Sequence, residues 1–226
     1  MEGRLFTFLG TIGGHGQEWI ILSHYVLVIG IIFLIARAAT RKLQLVPTGA
    51  QNVMETFVGG IITMGADTMG EKNARVYMPL IASLAIVIFV SNMIGVIPGF
   101  EAPTSNINFT LSLALIVFVY YNYVGIQKNG FVNYFKHFMG PMPILAPLMF
   151  PIEIISHISR IISLSFRLFG SIRGDDMFLM VLLMLVPWLL PLPGFFLLTA
   201  FGFLQAFIFS ILTYVYIAGS VMMEHE

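Results

Sequence analysis

Long apolar runs dominate this chain and set the class of fold that it can adopt. After Gly140 the sequence stays apolar almost without interruption as far as Val221. A transmembrane helix needs about 20 mostly apolar residues, and segments close to that length also occur at 19–36, 76–97 and 109–126. Only 10% of the residues are charged, whereas soluble domains carry about 25%. The sequence therefore predicts an all-α integral membrane protein.

Proline and glycine divide the last apolar region into two helices. Pro187, Pro191 and Gly194 lie close together, and such clusters mark turns. We expect helices over 152–186 and 195–221, which brings the number of crossings to five within one membrane domain, 1–226. The first of these helices has 35 residues, or about 52 Å, against about 30 Å of hydrocarbon. The two helices are therefore predicted to form a long, steeply tilted hairpin.

Basic residues are concentrated in two loops, which predicts the orientation of the chain. They follow the first and the third span, namely Arg37, Arg41, Lys42, Lys72, Arg75, Lys128 and Lys136, whereas the loop 98–108 has none. Since basic loops face the cytoplasm, we expect the N-terminus outside, with 1–18 as an external tail, and the C-terminus inside. In the first basic loop, apolar residues recur at helical spacing from Val53 to Ile62, which predicts an interfacial helix.

Charge balance and the lack of cysteine exclude several classes of protein. Eleven basic residues balance eleven acidic ones, which argues against a nucleic-acid partner. Without cysteine there is no disulfide, thiolate metal site or iron–sulfur cluster. Nucleotide-binding loops are missing too, and Glu153 with His157 has no obvious further metal ligands. We expect no metal and no cofactor.

Charged residues inside the helix 152–186 carry the strongest functional signal. On an ideal helix one polar stripe, within about 40° of a common direction, contains Glu153, His157, Arg160, Arg167, Ser171 and Asp175. An arginine at the bilayer centre costs about 2.5–3.5 kcal/mol and cannot escape by losing its proton. Neither Glu153 nor Asp175 has the spacing that would pair it with Arg167. We therefore expect the acid partner of Arg167 in another subunit.

Other polar residues leave alternatives open. Glu153 and His157, four residues apart, suit either a local hydrogen bond or a proton relay. Asp175 and Asp176 either line a water-filled path to the outer face or end the buried stretch. Gln205, in the centre of the last helix, either bonds across helices or lies beside the arginine.

Three stretches of the sequence resemble subunit a of the F-type rotary ATP synthase: 162–170 around Arg167, 204–209 around Gln205, and the loop 92–108. The resemblance implies that Arg167 is the stator arginine facing a rotating ring of c subunits, with Gln205 beside it. It implies that Glu153 belongs to the cytoplasmic half-channel. Asp176, nine residues after the arginine, matches the acid of the outer half-channel.

The sequence departs from the pattern of that family at three places. Ser171 stands where many members have asparagine, Leu198 stands where some have histidine, and the run 173–176, with two adjacent aspartates, differs from the commonest pattern. Either Asp175 or Asp176 is therefore open as the acid of the outer path.

The resemblance implies a proton-channel stator subunit that couples proton flow to ring rotation and is not catalytic alone. Its expected partners are the c-subunit ring, the peripheral-stalk b subunits, the lipid bilayer and, indirectly, the catalytic head, in a bacterial inner membrane. The alternative is an ion-coupled secondary transporter in which Arg167 binds an anion, although such transporters usually have more spans and internal repeats. A passive anchor for a respiratory complex would leave the central arginine unexplained.

Overall fold

The computed structural model describes residues 17–41, 43–130, 146–185 and 191–221. Within these ranges the chain forms six α-helices, one short 3-10 turn (Pro103–Ser105) and no strand. The helices are α1 (Gln17–Thr40), α2 (Ala50–Met69), α3 (Glu71–Val96), α4 (Ile107–Asn129), α5 (Ala146–Leu185) and α6 (Pro191–Val221). The prediction of an all-α fold is confirmed.

Four helices, α1, α3, α4 and α6, are long and apolar enough to cross a membrane. Many of their large apolar side chains are exposed, which suits a chain whose surroundings are lipid. The protein is a multi-pass membrane protein. Helix α5 has 40 residues, or about 60 Å, but it is not among the four, because polar and charged side chains interrupt its apolar sequence. A fifth crossing by α5 and the steep tilt of the hairpin stay predictions.

Both helices of the hairpin begin earlier than the sequence indicated. Helix α5 begins at Ala146 instead of 152, and α6 begins at Pro191 instead of 195. The first N–H groups of a helix have no acceptor within it, so a proline there loses no hydrogen bond. Pro151 lies further inside α5 and does not end the helix. Proline clusters were therefore an unreliable sign of where these helices begin.

The remaining spans also extend past their apolar runs, because polar residues continue the helical turns at the ends. The last two residues of the expected tail, Gln17 and Glu18, belong to α1. Other features predicted from the sequence lie outside the described residues: most of the tail, Lys42, Lys136, and Val186 and Pro187 at the hairpin turn.

Helices α2 and α3 meet at a single residue, Gly70. Its φ of 80° lies in the left-handed region that favours glycine. The Gly70 N–H donates to the Ala66 carbonyl (2.9 Å), and the Gly70 carbonyl accepts from the Ala74 N–H (3.0 Å). This turn lets α2 pack against both α3 and α6. Helix α2 occupies the segment predicted as interfacial, although its depth in the membrane stays a prediction.

The buried core is formed mainly by α3, α4 and α6. Helix α6 lies at its centre and contacts α2, α3, α4 and α5. Helix α5 packs mainly on α4 and contributes Leu164 and Leu168 to the core, so one of its faces is left uncovered. Helix α1 is peripheral and joins a small separate cluster through Val28.

Candidate functional site

Arg167 lies near the middle of α5, on the face that none of the other five described helices covers. Its neighbours Leu164 and Leu168 are buried against the core, whereas Arg167 itself is exposed. Within the described parts of the chain the ion pairs are Arg75–Glu71 and His157–Glu153, and neither includes Arg167. The guanidinium is therefore presented outward from an apolar helix.

Small residues flank Arg167 on the same face of α5. We call this the arginine face, and it is formed by Ser159, Ser163, Arg167, Gly170 and Gly174, all of which are exposed. A Cβ atom added at Gly170 or Gly174 would meet nothing within 4 Å. Small side chains let the backbone of a second membrane helix approach closely. The arginine face thus has the shape of a helix-packing surface with a charge at its centre.

Gln205 is level with Ser171 and one turn from Arg167. Two contacts fix the antiparallel register of α5 and α6: Gly194 lies against Leu182, and the Arg160 guanidinium lies over the Tyr216 ring, 5.7 Å from its centroid. Because Arg167 lies four residues before Ser171 on α5, it is offset from Gln205 by about 6 Å along the axis of α5. Gln205 is buried, with 6% of its surface exposed. Its Nε2 has no hydrogen-bond partner within the described residues.

His157 is buried between α4 and α5, on the side of Arg167 that contains Glu153. Its Nδ1 lies 2.8 Å from the Tyr121 hydroxyl, and the two rings are stacked with centroids 5.7 Å apart. Its Nε2 lies 3.6 Å from Glu153 Oε1, too far for a good hydrogen bond but within ion-pair distance. Glu153 is partly exposed, so this pair connects the interior to the surface of the chain.

Asp175 and Asp176 share a small pocket on the other side of Arg167. We call it the aspartate pocket, and its lining comes from α3, α5, α6 and the loop after α3: Asn92, Gly95, Val96, Ala102, Ile172, Asp175, Asp176, Leu198 and Gly202. Both aspartates are partly exposed. Leu198 lines the same pocket and gives it no titratable group.

Asn92 holds the wall of the aspartate pocket together. Its Nδ2 donates to the Gly202 carbonyl (3.1 Å), and its Oδ1 accepts from the Thr104 hydroxyl (2.7 Å). A Cβ atom at Gly202 would lie 3.2 Å from the Asn92 Cβ, so the close approach of α3 and α6 depends on that glycine. The Ser171 hydroxyl, by contrast, donates to the Leu168 carbonyl of its own helix (3.1 Å).

The single polar stripe predicted for α5 is divided in the structure. His157 is buried, Arg167 is exposed, and Glu153, Arg160, Ser171 and Asp175 lie at intermediate positions. A stripe of this width spans the boundary between the packed face and the uncovered face of the helix. The structure therefore brings Glu153 and His157 together and Asp175 and Asp176 together, with Arg167 between the two groups.

Comparison with known proteins decides the family. The sequence model of the family described as ATP synthase A chain matches residues 20–218. ATP synthase subunit a of Aliarcobacter butzleri is 92% identical over 226 residues, which cover 100% of this chain and 99% of the relative. The chain belongs to the ATP synthase subunit a family. Subunit a of a Nitratiruptor species is 58% identical over 226 residues, and that of Campylobacter jejuni is 62% identical over 202 residues, 89% of each chain.

Membership in the ATP synthase subunit a family makes the protein a component of the ATP synthase complex. Its helices and family together account for a role in ATP synthesis at a membrane. The predicted resemblance is thus confirmed at the level of the family.

Sequence reasoning did not identify Tyr121, Asn92 or Gly202 as parts of the site. Tyr121 is one of several tyrosines in an apolar helix, and only the packing of α4 on α5 shows that it meets His157. Asn92 was visible as a polar residue in an apolar run, and its burial could have been anticipated from that alone. Gly202 gave no signal, because its role depends on the approach of α3.

Proposed function

We propose that this chain is the proton-channel stator subunit of the rotary ATP synthase. Arg167 separates two aqueous half-channels and faces a ring of c subunits that carry membrane carboxylates. Proton flow through the half-channels turns the ring, and the rotation drives ATP synthesis in the catalytic head. The observation that carries the proposal is the outward presentation of Arg167 on a packing surface of small residues.

An exposed arginine in an apolar surface needs an acidic partner from outside the chain. At the bilayer centre it would cost about 2.5–3.5 kcal/mol, and it stays charged at any physiological pH. A ring carboxylate that comes to Arg167 is stabilised in its ionised form by the guanidinium. Away from Arg167, in lipid, the same carboxylate must be protonated. The arginine therefore forces each carboxylate to release a proton on one side and take one up on the other.

The positions of the polar groups along α5 support two separate half-channels. Glu153 lies fourteen residues before Arg167, about 21 Å along the helix, and Asp176 lies nine residues after it, about 14 Å. We assign Glu153 and His157 to the cytoplasmic half-channel. The aspartate pocket, with Ser171 between it and Arg167, is assigned to the outer half-channel. Gln205, level with Ser171, has an amide donor with no partner among the described residues, and we assign that donor to the centre of the path.

The membrane potential supplies the driving force for this cycle. Each elementary charge that crosses the full membrane gains about 2.3 kcal/mol per 100 mV. Because the ring turns only as its carboxylates exchange protons, this energy becomes rotation. Without Arg167 a protonated carboxylate could pass between the half-channels, and protons would cross without work.

The distribution of basic residues supports an orientation for the subunit, and its family supports a set of partners. We place the N-terminus outside and the C-terminus in the cytoplasm of a bacterial cell, with the protein in the inner membrane. The peripheral-stalk b subunits hold it against the torque of the ring. The transporter alternative has no support from the family, whose named members are ATP synthase subunits.

The test is Arg167→Ala in inverted membrane vesicles that contain the whole ATP synthase. We expect ATP-driven proton pumping to be lost, because the ring carboxylates have no opposite charge to meet. Arg167→Lys should fail as well, since a lysine can lose its proton in a buried site. Arg75→Ala is the matched control, because Arg75 is exposed and its pair with Glu71 contributes at most about 1 kcal/mol. Normal pumping by Arg167→Ala would disprove the stator role.

A further inference from the structure

Tyr121 contacts a group of the cytoplasmic half-channel and has no role in the function proposed above. We propose that Tyr121 is a positioning residue that holds His157 in the orientation in which its Nε2 exchanges protons with Glu153. This inference rests on the proposed stator function and adds a residue from α4 to a path that the sequence placed on α5 alone.

The geometry around His157 leaves one ring nitrogen facing the carboxylate. Tyr121 engages Nδ1 at 2.8 Å, and the stacked tyrosine ring limits rotation of the imidazole. Tyr121 is itself fixed, with 1% of its surface exposed and its ring edge-to-face with Phe118. Nε2 is thereby directed towards Glu153 Oε1, 3.6 Å away. A small movement of the partly exposed Glu153 side chain closes that distance to a hydrogen bond.

A tyrosine hydroxyl suits this position because its oxygen can accept a hydrogen bond from the Nδ1–H. This bond holds the neutral ring in the tautomer whose Nε2 carries no proton, and it persists when the ring becomes an imidazolium. Nδ1 therefore keeps its partner in both protonation states, and only Nε2 exchanges a proton. In the transfer step Nε2 takes up a proton from water in the half-channel, and this N–H bond then breaks as Glu153 Oε1 gains the proton. An imidazolium and a carboxylate become a neutral imidazole and a carboxylic acid.

Within the described ranges, titratable and charged groups from three helices lie around His157. They include Glu153 and Arg160 on α5, Tyr121 on α4 and Tyr216 on α6. The carboxylate of Glu153 favours the imidazolium, and the guanidinium of Arg160 opposes it. Arg160 lies over the Tyr216 ring, Tyr216 packs on Tyr121, and the Tyr121 hydroxyl also interacts with Arg160 and Asn122. Loss of the hydroxyl should therefore alter proton exchange at His157, and the double variant with His157→Gln separates this effect from one that acts through Arg160.

The test compares Tyr121→Phe with Tyr120→Phe in inverted vesicles of the assembled ATP synthase. Tyr121→Phe keeps the stacked ring and removes only the hydroxyl, whereas the ring of the adjacent Tyr120 packs edge-to-face on Tyr77 of α3. We expect ATP-driven pumping per assembled complex to fall about tenfold in Tyr121→Phe, equivalent to about 1.4 kcal/mol. The dependence of this pumping rate on the pH of the medium should also shift, since the medium contacts the cytoplasmic face of the complex in inverted vesicles. Tyr120→Phe should match the parent in both respects.

Two results would overturn the inference. One is unchanged pumping and an unchanged pH profile in Tyr121→Phe. The other is a loss of assembly with a normal pH profile per complex, which shows a purely structural role.

Adding Tyr121→Phe to His157→Gln should cause no further loss of pumping, since the tyrosine acts through the histidine. Arg167→Ala is measured alongside. If that variant is inactive while Tyr121→Phe is normal, only the role of Tyr121 is wrong, and if Arg167→Ala pumps normally, the stator function itself is wrong.

Discussion

Some residues of the candidate site could be identified from the sequence, and others could not. Arg167 was identifiable because an arginine among leucine, phenylalanine and isoleucine is costly wherever the helix packs. Its exposure in the structure agrees with the prediction that no acid of its own helix pairs with it. His157 and Glu153 were identifiable from their spacing. Tyr121 could not be identified, because it lies on a different helix from His157. Contacts between helices depend on how the helices pack, and no spacing along the sequence indicates that packing.

The two aspartates make a prediction for the outer half-channel. Asp175→Asn and Asp176→Asn, made singly, should each keep the shape of the aspartate pocket while removing an exchangeable proton. We expect at least one of them to slow passive proton flux through the membrane sector by about tenfold or more, within the range for a positioned acid–base group.

Asp67→Asn on α2 is the control for those variants, because Asp67 is exposed and lies outside the pocket. Flux would be measured in vesicles stripped of the catalytic head. Parent-like flux in both Asp175→Asn and Asp176→Asn would show that the outer path is elsewhere.

At the scale of the helices, glycine decides which faces can meet. A Cβ atom at Gly65 of α2 would lie 2.5 Å from the Tyr214 ring of α6, so α2 can lie against α6 only with glycine there. The sequence showed that α2 is helical and that α6 is long and apolar. It did not show their contact, because a glycine that permits close packing looks the same as one that does not. The proline clusters also led to predicted starts for α5 and α6 that are later than the starts in the structure.

Gly65→Ala should destabilise the subunit by about 1–3 kcal/mol, the usual cost of inserting a methyl group into a packed contact. The measurement is the temperature at which subunit a is lost from the detergent-solubilised complex, which should fall. Gly59→Ala is the matched control on the same helix, since a Cβ atom there meets nothing within 4 Å. Alanine also favours the helix by about 1 kcal/mol relative to glycine. A higher or equal temperature for Gly65→Ala would contradict the packing of α2 on α6.

At the scale of the whole molecule, packing of the helices leaves α5 half covered. The core formed by α3, α4 and α6 buries one face of α5, and the arginine face stays open. Apolar length and helical spacing predicted helices in each of these regions of the sequence, although the fifth crossing stays a prediction. It could not predict which face of α5 would be open, since the polar stripe lies across the boundary between the two faces.

The open face predicts where the ring lies, and the chain has no native cysteine that would confuse a cross-linking experiment. Ser163→Cys is nearly isosteric and lies one turn before Arg167 on the arginine face. With a cysteine introduced near the membrane carboxylate of the c subunit, mild oxidation should give a covalent product of subunits a and c. Ser112→Cys on α4 is the matched control, because Ser112 is also exposed but lies on a different helix. Equal cross-linking of both variants, or cross-linking of Ser112→Cys alone, would place the ring elsewhere.

The uncovered charge on α5 also has a consequence for how the enzyme is built. A newly inserted chain with no ring beside it exposes Arg167 to lipid, where the guanidinium is costly and draws water and headgroups inward. Such a chain is less stable than the assembled subunit and offers a distorted patch of bilayer that membrane proteases can reach. We expect the orphan subunit to be short-lived in the cell and to persist only when a completed ring is already present. If Arg167 has the stator role proposed above, the same residue would then also set the order in which the complex is assembled.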